Sequence, residues 1–101
     1  MQPDEVEAAL RSLTGVADVR VIAGHDDRRG EHVVACIVRH DQSERLTPLA
    51  VRRFCADRLA PHKIPREVVF VEAIPLTPRG KTDRAALAAA IRSRPKQEPR
   101  G

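Results

Sequence analysis

The stretch VADVRVIAGHDDRRGEHVVACIV, residues 16–38, decides the fold of this chain. Its first part, residues 16–23, places valines on one face and Arg20 on the other, which predicts a strand with one buried face. The polar segment GHDDRRG is bounded by glycines and predicts a turn. Residues 32–38 are almost continuously apolar and β-branched, which favours a second strand that is covered on both faces.

Helical patterns lie on both sides of this stretch. Before it, residues 3–5 open a helix with acidic residues in its first turn, and Gly15 is predicted to cap its end. After it, Thr47 followed by Pro48 is typical of a helix start, with Thr47 as the N-cap. The buried side of this second helix is predicted to hold Val51, Phe54, Cys55 and Leu59.

Two further elements follow the second helix. Residues 68–71 are apolar and predict a third strand, and either Thr82 or Asp83 is predicted to cap a last helix. The inward face of the last helix is predicted to hold Leu87, Ala90 and Ile91. The order α-β-β-α-β-α predicts an α+β fold, in which helices pack on a small three-stranded sheet.

The length of 101 residues suits one domain with a modest core. Much of the net charge of +4 lies in residues 92–101, which hold four basic residues and one acidic residue. We therefore predict a domain over residues 1–91 and a basic, disordered tail over residues 92–101. The domain itself is nearly neutral, and the chain holds only two aromatic residues, so nucleic-acid binding is not expected.

The two cysteines, Cys36 and Cys55, lie far apart and fit no metal-ligand spacing, so no metal site is predicted. Their apolar and helical surroundings favour two buried thiols over a disulfide. No apolar run is long enough to span a membrane, and the N-terminus lacks a signal-peptide pattern. These features predict a cytoplasmic protein without a membrane partner.

The segment IPLTPRGKTDRAAL, residues 74–87, holds one candidate functional residue, Lys81. Two prolines stiffen the approach to it, and Gly80 permits a positive φ or a close backbone approach. A lysine on such a constrained base suits the binding of a transient anion. From composition alone, an ordinary surface lysine in a proline turn is the favoured alternative.

The stretches PDEVEAAL, TGVADVRVIAG, GEHVVACIV and LAPHKIPREVVFVEAIPLTPRGKTDR change that balance. In their order and spacing they resemble the C-terminal subdomain of the acyl-adenylate-forming enzymes. That superfamily includes acyl-CoA synthetases, non-ribosomal peptide adenylation domains and luciferases. The combination of EVE, KIP and P-x-T-x-x-GK-x-x-R is specific, and the resemblance covers all but about the last ten residues.

The resemblance implies that Lys81 is a catalytic residue. It would contact the carboxylate substrate and the reacting phosphate while the acid attacks the α-phosphate of ATP. An ammonium group at that point stabilises the charge that grows on the phosphate oxygens and orients the nucleophile. Thr77 and Gly80 would belong to the loop that supports this lysine.

The resemblance also implies a second functional face. After adenylation the domain would rotate and present this face to CoA or to the phosphopantetheine of a carrier protein. His62, Ile64 and Arg66 match positions that meet the CoA nucleotide in CoA ligases, and Arg66 could pair with a phosphate. Ile64 replaces a basic residue that some CoA users have, so a carrier-protein acceptor stays open.

The resemblance finally implies a partner. ATP, Mg²⁺ and CoA or phosphopantetheine would bind through a larger adenylation (AMP-binding) core, and none is expected to bind this chain alone. We expect a stand-alone lid that acts in trans on a separate core, with an acyl carrier protein as a further candidate partner. The alternatives are an excised piece of a longer enzyme and a non-catalytic module that binds a carrier protein or core. Met1 and the tail favour separate encoding, and the acid substrate cannot be read from this sequence.

Overall fold

The stretch that decides the fold forms an antiparallel pair of strands, β1 (Val16–Asp26) and β2 (Gly30–Arg39). The structure, a computed structural model, describes residues 3–26, 30–40 and 46–93. The valines of β1 and the apolar run of β2 lie opposite each other in this pair. The two strands therefore supply most of the buried surface of the sheet.

β1 is longer than the sequence pattern predicted. The predicted turn began at Gly24, but the ladder continues through the pairs Gly24↔His32, His25↔Glu31 and Asp26↔Gly30. This prediction was wrong because backbone hydrogen bonds hold an antiparallel ladder, and polar residues make them as readily as apolar ones. Residues 27–29 of the predicted turn lie outside the described residues.

The remaining elements follow the predicted order α-β-β-α-β-α. They are α1 (Pro3–Arg11), α2 (Pro48–Ala56), a short 3₁₀ helix (Pro61–Lys63), β3 (Glu67–Phe70) and α3 (Arg84–Ser93). The strand order is β1-β2-β3, and β3 runs parallel to β2 after the crossover through α2. β2 is therefore the central strand, which explains why its sequence is apolar on both faces.

The helices cover the two faces of the sheet. On one face, residues from α1 and α2 join alternate residues of β1 and β2 in the larger core, which includes Val6, Leu10, Val19, Val21, Ala35, Ile37, Val51 and Cys55. On the other face, Leu87 of α3 packs with Ile22, Val34 and Cys36. The structure thus confirms the predicted α+β fold and places α3 alone opposite α1 and α2.

The helix ends show how local chemistry limits each element. Thr47 caps α2 as predicted, because its Oγ1 accepts a hydrogen bond from the backbone N–H of Ala50 at 3.1 Å. Of the two predicted caps of α3, Asp83 fills the role, since its Oδ1 accepts from the N–H of Ala86 at 2.9 Å. α1 ends at Arg11, one turn earlier than predicted, and Gly15 leads into β1 with a φ of 101°.

The inward face of α3 differs from the prediction at one position. Leu87 is buried and Ile91 packs beside it, as expected, but Ala88 is the third member of the contact. Ala90 is exposed, so its predicted place in the core was wrong. The buried Leu87 sets the rotation of the helix, and residues one and four positions later then face the sheet.

The cysteines are both buried and unpaired, as predicted. Burial raises the pKa of the Cys36 thiol to about 12, and burial likewise raises the pKa of Cys55. Within the described ranges, no helix combines the length and apolarity that a membrane span requires. α3 continues to Ser93, and the rest of the predicted basic tail, residues 94–101, lies outside the described residues.

Glu7 of α1 is a buried carboxylate with a structural role. It is 8% exposed, and its Oε2 accepts a hydrogen bond from the backbone N–H of Val21 at 2.8 Å. β1 is an edge strand, so this N–H has no partner strand on that side. Glu7 therefore satisfies a backbone donor that would otherwise be buried without a partner.

We predict that Glu7→Ala lowers the free energy of unfolding by about 1–3 kcal/mol, because it leaves the Val21 N–H without an acceptor. The matched control is Glu5→Ala on the same helix, where the carboxylate forms an exposed ion pair with Lys63 and its loss should cost less than about 1 kcal/mol. Urea denaturation of both variants measures the difference. Equal losses at the two positions would contradict the role assigned to Glu7.

Candidate functional site

The segment around Lys81 forms a small hairpin, residues 76–82, which we call the lysine hairpin. Leu76 and Thr82 form an antiparallel bridge at its base. The N–H of Thr77 donates to the C=O of Lys81 at 2.7 Å, and the N–H of Gly80 donates to the C=O of Thr77 at 2.8 Å. These bonds leave a three-residue loop at the tip.

Gly80 and Thr77 give the hairpin its closed shape. Gly80 has a φ of 85°, in the left-handed region that glycine adopts without strain. The Oγ1 of Thr77 accepts a hydrogen bond from the backbone N–H of Lys81 at 3.2 Å. Both residues that the resemblance assigned to the supporting loop thus lie directly beside Lys81.

One hydrogen bond attaches the lysine hairpin directly to the sheet, and two more hold the residues that flank it. The Nε of Arg20 on β1 donates to the Oγ1 of Thr82 at 2.7 Å. The N–H of Asp83 donates to the C=O of Pro75 at 2.9 Å, just outside the hairpin. The Nη1 of Arg84 donates to the C=O of Val21 at 3.0 Å and ties the start of α3 to β1. The base of the hairpin is therefore held against the sheet.

Sequence reasoning missed Arg20 and Arg84 as parts of this site. Arg84 ends the quoted family motif and Arg20 faces away from the buried valines, but neither pattern predicts a contact. A charged residue in the middle of an apolar strand was the signal that could have found Arg20. Its partner lies 62 positions later in the chain, so no local pattern could have named Thr82.

Lys81 is exposed, and its side chain has no hydrogen-bond or ion-pair partner among the described residues. Arg79 at the tip of the lysine hairpin is exposed as well. The hairpin thus combines an anchored backbone with free cationic side chains. Such an arrangement can meet an anion on another molecule without first breaking an internal ion pair.

The second predicted face lies at the turn before β3. His62 and Arg66 are exposed, whereas Ile64 is partly buried and packs against the larger core. An apolar side chain in this turn is drawn to the core, and the assignment of Ile64 to a CoA-facing surface stays a prediction. Lys63 pairs with Glu5 of α1 and secures the turn.

The two predicted groups of site residues are separate in the structure. Over the described ranges, no hydrogen bond or ion pair joins His62 or Arg66 to the lysine hairpin. The same ranges hold no group of three or more His, Cys, Asp or Glu side chains that could bind a metal ion. An open depression of about 430 Å³ lies along α2, and none of its lining residues belongs to either group.

Most of the chain, including part of the lysine hairpin, matches a known protein family. The model of the AMP-binding enzyme C-terminal domain matches residues 5–81, so the match includes Lys81. A long-chain-fatty-acid–CoA ligase, FadD13 of Mycobacterium tuberculosis, is 40% identical over 79 residues, which are 78% of this chain and 15% of the ligase. The chain thus spans about 15% of the length of the curated relatives it matches.

Solved structures show the same likeness. A fatty acyl CoA synthetase of M. tuberculosis matches 87% of this chain and 17% of its own, with a TM-score of 0.78 and 33% identity. ATP-bound MatB of Rhodopseudomonas palustris matches 92% of this chain and 18% of its own, with a TM-score of 0.83 and 27% identity. Sequence and fold agree over most of the chain, which therefore belongs to the family of AMP-binding enzyme C-terminal domains.

Proposed function

We propose that this chain is the lid of an acyl-adenylating ligase and presents Lys81 to an AMP-binding core on a separate polypeptide. The observation that carries the proposal is an exposed lysine on a hairpin whose base is bonded to the sheet. Relatives named as CoA ligases support the same chemistry, the activation of a carboxylic acid for transfer to a thiol.

The first step of this chemistry joins two anions. A carboxylate oxygen of the acid attacks the α-phosphorus of ATP, the bond to pyrophosphate breaks, and an acyl adenylate forms. The ammonium of Lys81 would lie between the carboxylate and the phosphate, where it offsets their repulsion and stabilises the developing charge. Because the lysine hairpin is already closed, little conformational freedom is lost when it docks.

The second step transfers the acyl group. The thiol sulfur of CoA or phosphopantetheine attacks the acyl carbon, the bond to the AMP phosphate breaks, and the thiol proton is released. We assign the exposed His62 and Arg66 to the surface that meets this acceptor. A guanidinium group suits a phosphate of either acceptor, since both carry phosphate near the thiol arm.

The trans arrangement is supported by the way the domain closes its own core. Both faces of the sheet are covered by helices of this chain, and the large core side chains are fully buried. A domain that closes its own hydrophobic core can fold without covalent attachment to the AMP-binding core, so domain and AMP-binding core can associate as separate chains. We assign the binding of ATP, Mg²⁺ and the acid to the AMP-binding core.

We predict that Lys81→Ala abolishes the gain in acid-dependent ATP–pyrophosphate exchange that the chain gives to its core. The expected loss is on the order of 100-fold or more, because a charge-stabilising group is removed from the transition state. The assay uses the AMP-binding portion of a ligase of this family, expressed without its own C-terminal domain. Lys63→Ala is the matched control and should retain exchange, since Lys63 pairs with Glu5.

Other outcomes of this assay bear on the alternatives. If the chain adds no exchange, whether mixed with the core or fused to it, the proposed catalytic role is wrong. Exchange with the fused protein alone would reject action in trans and keep the role of Lys81. Binding to the core or to a carrier protein without exchange, at an affinity that Lys81→Ala leaves unchanged, would indicate a non-catalytic interaction module.

We predict that Gly80→Ala lowers the exchange rate by about tenfold, because the strained backbone would displace Lys81. Gly30→Ala is the matched control: both glycines have positive φ, 85° and 76°, and an added methyl group would meet no atom of the described residues within 4 Å at either position. Both variants should therefore lose a similar stability, about 1 kcal/mol, in urea denaturation. Equal exchange rates for the two variants would show that exchange does not depend on the shape of the lysine hairpin.

We predict that Arg66→Ala slows thioester formation by about tenfold and leaves ATP–pyrophosphate exchange unchanged, because Arg66 would contact only the thiol acceptor. The assay compares CoA with a phosphopantetheine-bearing carrier protein as acceptor, and the larger effect identifies the preferred one. Arg53→Ala on the exposed side of α2 is the control. A loss of exchange equal to the loss of thioester formation would contradict the assignment of Arg66 to the second step.

A further inference from the structure

A side-chain bond between β1 and the lysine hairpin stands next to Lys81. The guanidinium of Arg20 donates from Nε to the Oγ1 of Thr82 at 2.7 Å. Its Nη1 donates to the Oδ1 of Asp18 at 2.6 Å and to the C=O of Val19 at 2.8 Å. The Arg20 side chain is 21% exposed, and three acceptors hold its guanidinium in this partly buried position.

Other bonds close the hairpin, and the buried cores do not include this pair. Arg20 and Thr82 belong to neither buried core, and the backbone bonds between Thr77, Gly80 and Lys81 close the hairpin. What the Arg20–Thr82 bond adds is a direct link between the hairpin and the sheet. It therefore sets the direction in which the hairpin projects.

Thr82 is well placed to transmit this constraint to Lys81. It follows Lys81 directly and forms the bridge with Leu76 at the base of the hairpin. A fixed Thr82 limits the rotation of the peptide that carries the Lys81 stem. An error of about 1 Å in the position of a catalytic group can cost on the order of 100-fold in rate, so such a limit matters.

We propose that Arg20 is a positioning residue for the adenylation step and acts on Lys81 through the hydroxyl of Thr82. This inference rests on the proposed function of Lys81. The Asp18 contact keeps the guanidinium of Arg20 directed at the hairpin. The Arg20–Thr82 pair orients the Lys81 ammonium before the domain contacts the core. Loss of this pair therefore lowers kcat more than it raises KM.

The test replaces the Thr82 hydroxyl by a group of the same shape. Thr82→Val removes the acceptor and keeps the β-branched side chain, and we expect kcat of ATP–pyrophosphate exchange to fall about tenfold, with KM for ATP and acid within about twofold. Thr82→Ser restores the acceptor and should restore kcat to within about twofold. Thr14→Val, at an exposed turn position, is the control.

A double-mutant cycle tests whether Arg20 acts through Thr82. Arg20→Met keeps the apolar stem and removes the donors, so it should lower kcat about as much as Thr82→Val does. The double variant should be no slower than either single variant. A loss near 100-fold in the double variant, as independent effects would give, contradicts the inference.

A readout without activity separates this inference from the proposed function. Residual dipolar couplings of the free chain report how the N–H vectors of residues 76–82 are ordered relative to β1 and β2. We expect Thr82→Val to reduce the hairpin couplings and leave those of the sheet unchanged. Unchanged hairpin couplings would overturn the inference, whatever the exchange rate of the Thr82→Val variant. If Lys81→Ala abolishes exchange and Thr82→Val does not lower it, the positioning role is wrong and the function of Lys81 stands.

Discussion

The structure depends on the hydrogen bonds that side chains make to the backbone groups on the outer edge of β1. β1 has a neighbouring strand on one side only, so alternate backbone groups turn away from the sheet. Side chains supply the missing partners: Glu7 accepts from the N–H of Val21, Arg84 donates to its C=O, and Arg20 donates to the C=O of Val19. The bonds of Glu7 and Arg84 attach α1 and α3 to β1, and Arg20 also bonds to Thr82 of the lysine hairpin.

This attachment explains how a small domain can hold one lysine in a defined place and leave it free. The lysine hairpin is closed by its own backbone bonds and is tied to the sheet at its base, while its tip stays exposed. The entropy cost of ordering the hairpin is incurred when the domain folds, so it is not incurred again in the proposed docking on a core. An anchored base and a free ammonium together suit brief contact with reacting anions.

Much of this could be predicted from the sequence, because hydrophobic spacing reports directly which residues face a core. The element order and most buried positions follow from it, and turn chemistry points to Gly80, whereas the supporting role of Thr77 came from the family resemblance. The full length of β1 could not be predicted, since backbone bonds extend a ladder through polar residues. The role of Lys81 needed the family resemblance. The Arg20–Thr82 contact joins residues 62 positions apart, so only the folded chain reveals it.

In the proposed function, the amine of Lys81 enters a site on the core that holds the acyl adenylate. The most direct test of this is the rate at which an amine-acylating reagent modifies Lys81, followed by mass spectrometry with the core and a non-hydrolysable acyl-adenylate analogue present or absent. We expect core and analogue together to protect Lys81 and to leave the rate at Lys63 unchanged. Modification of Lys81 at the same rate in all mixtures, with the chain bound to the core, would contradict it.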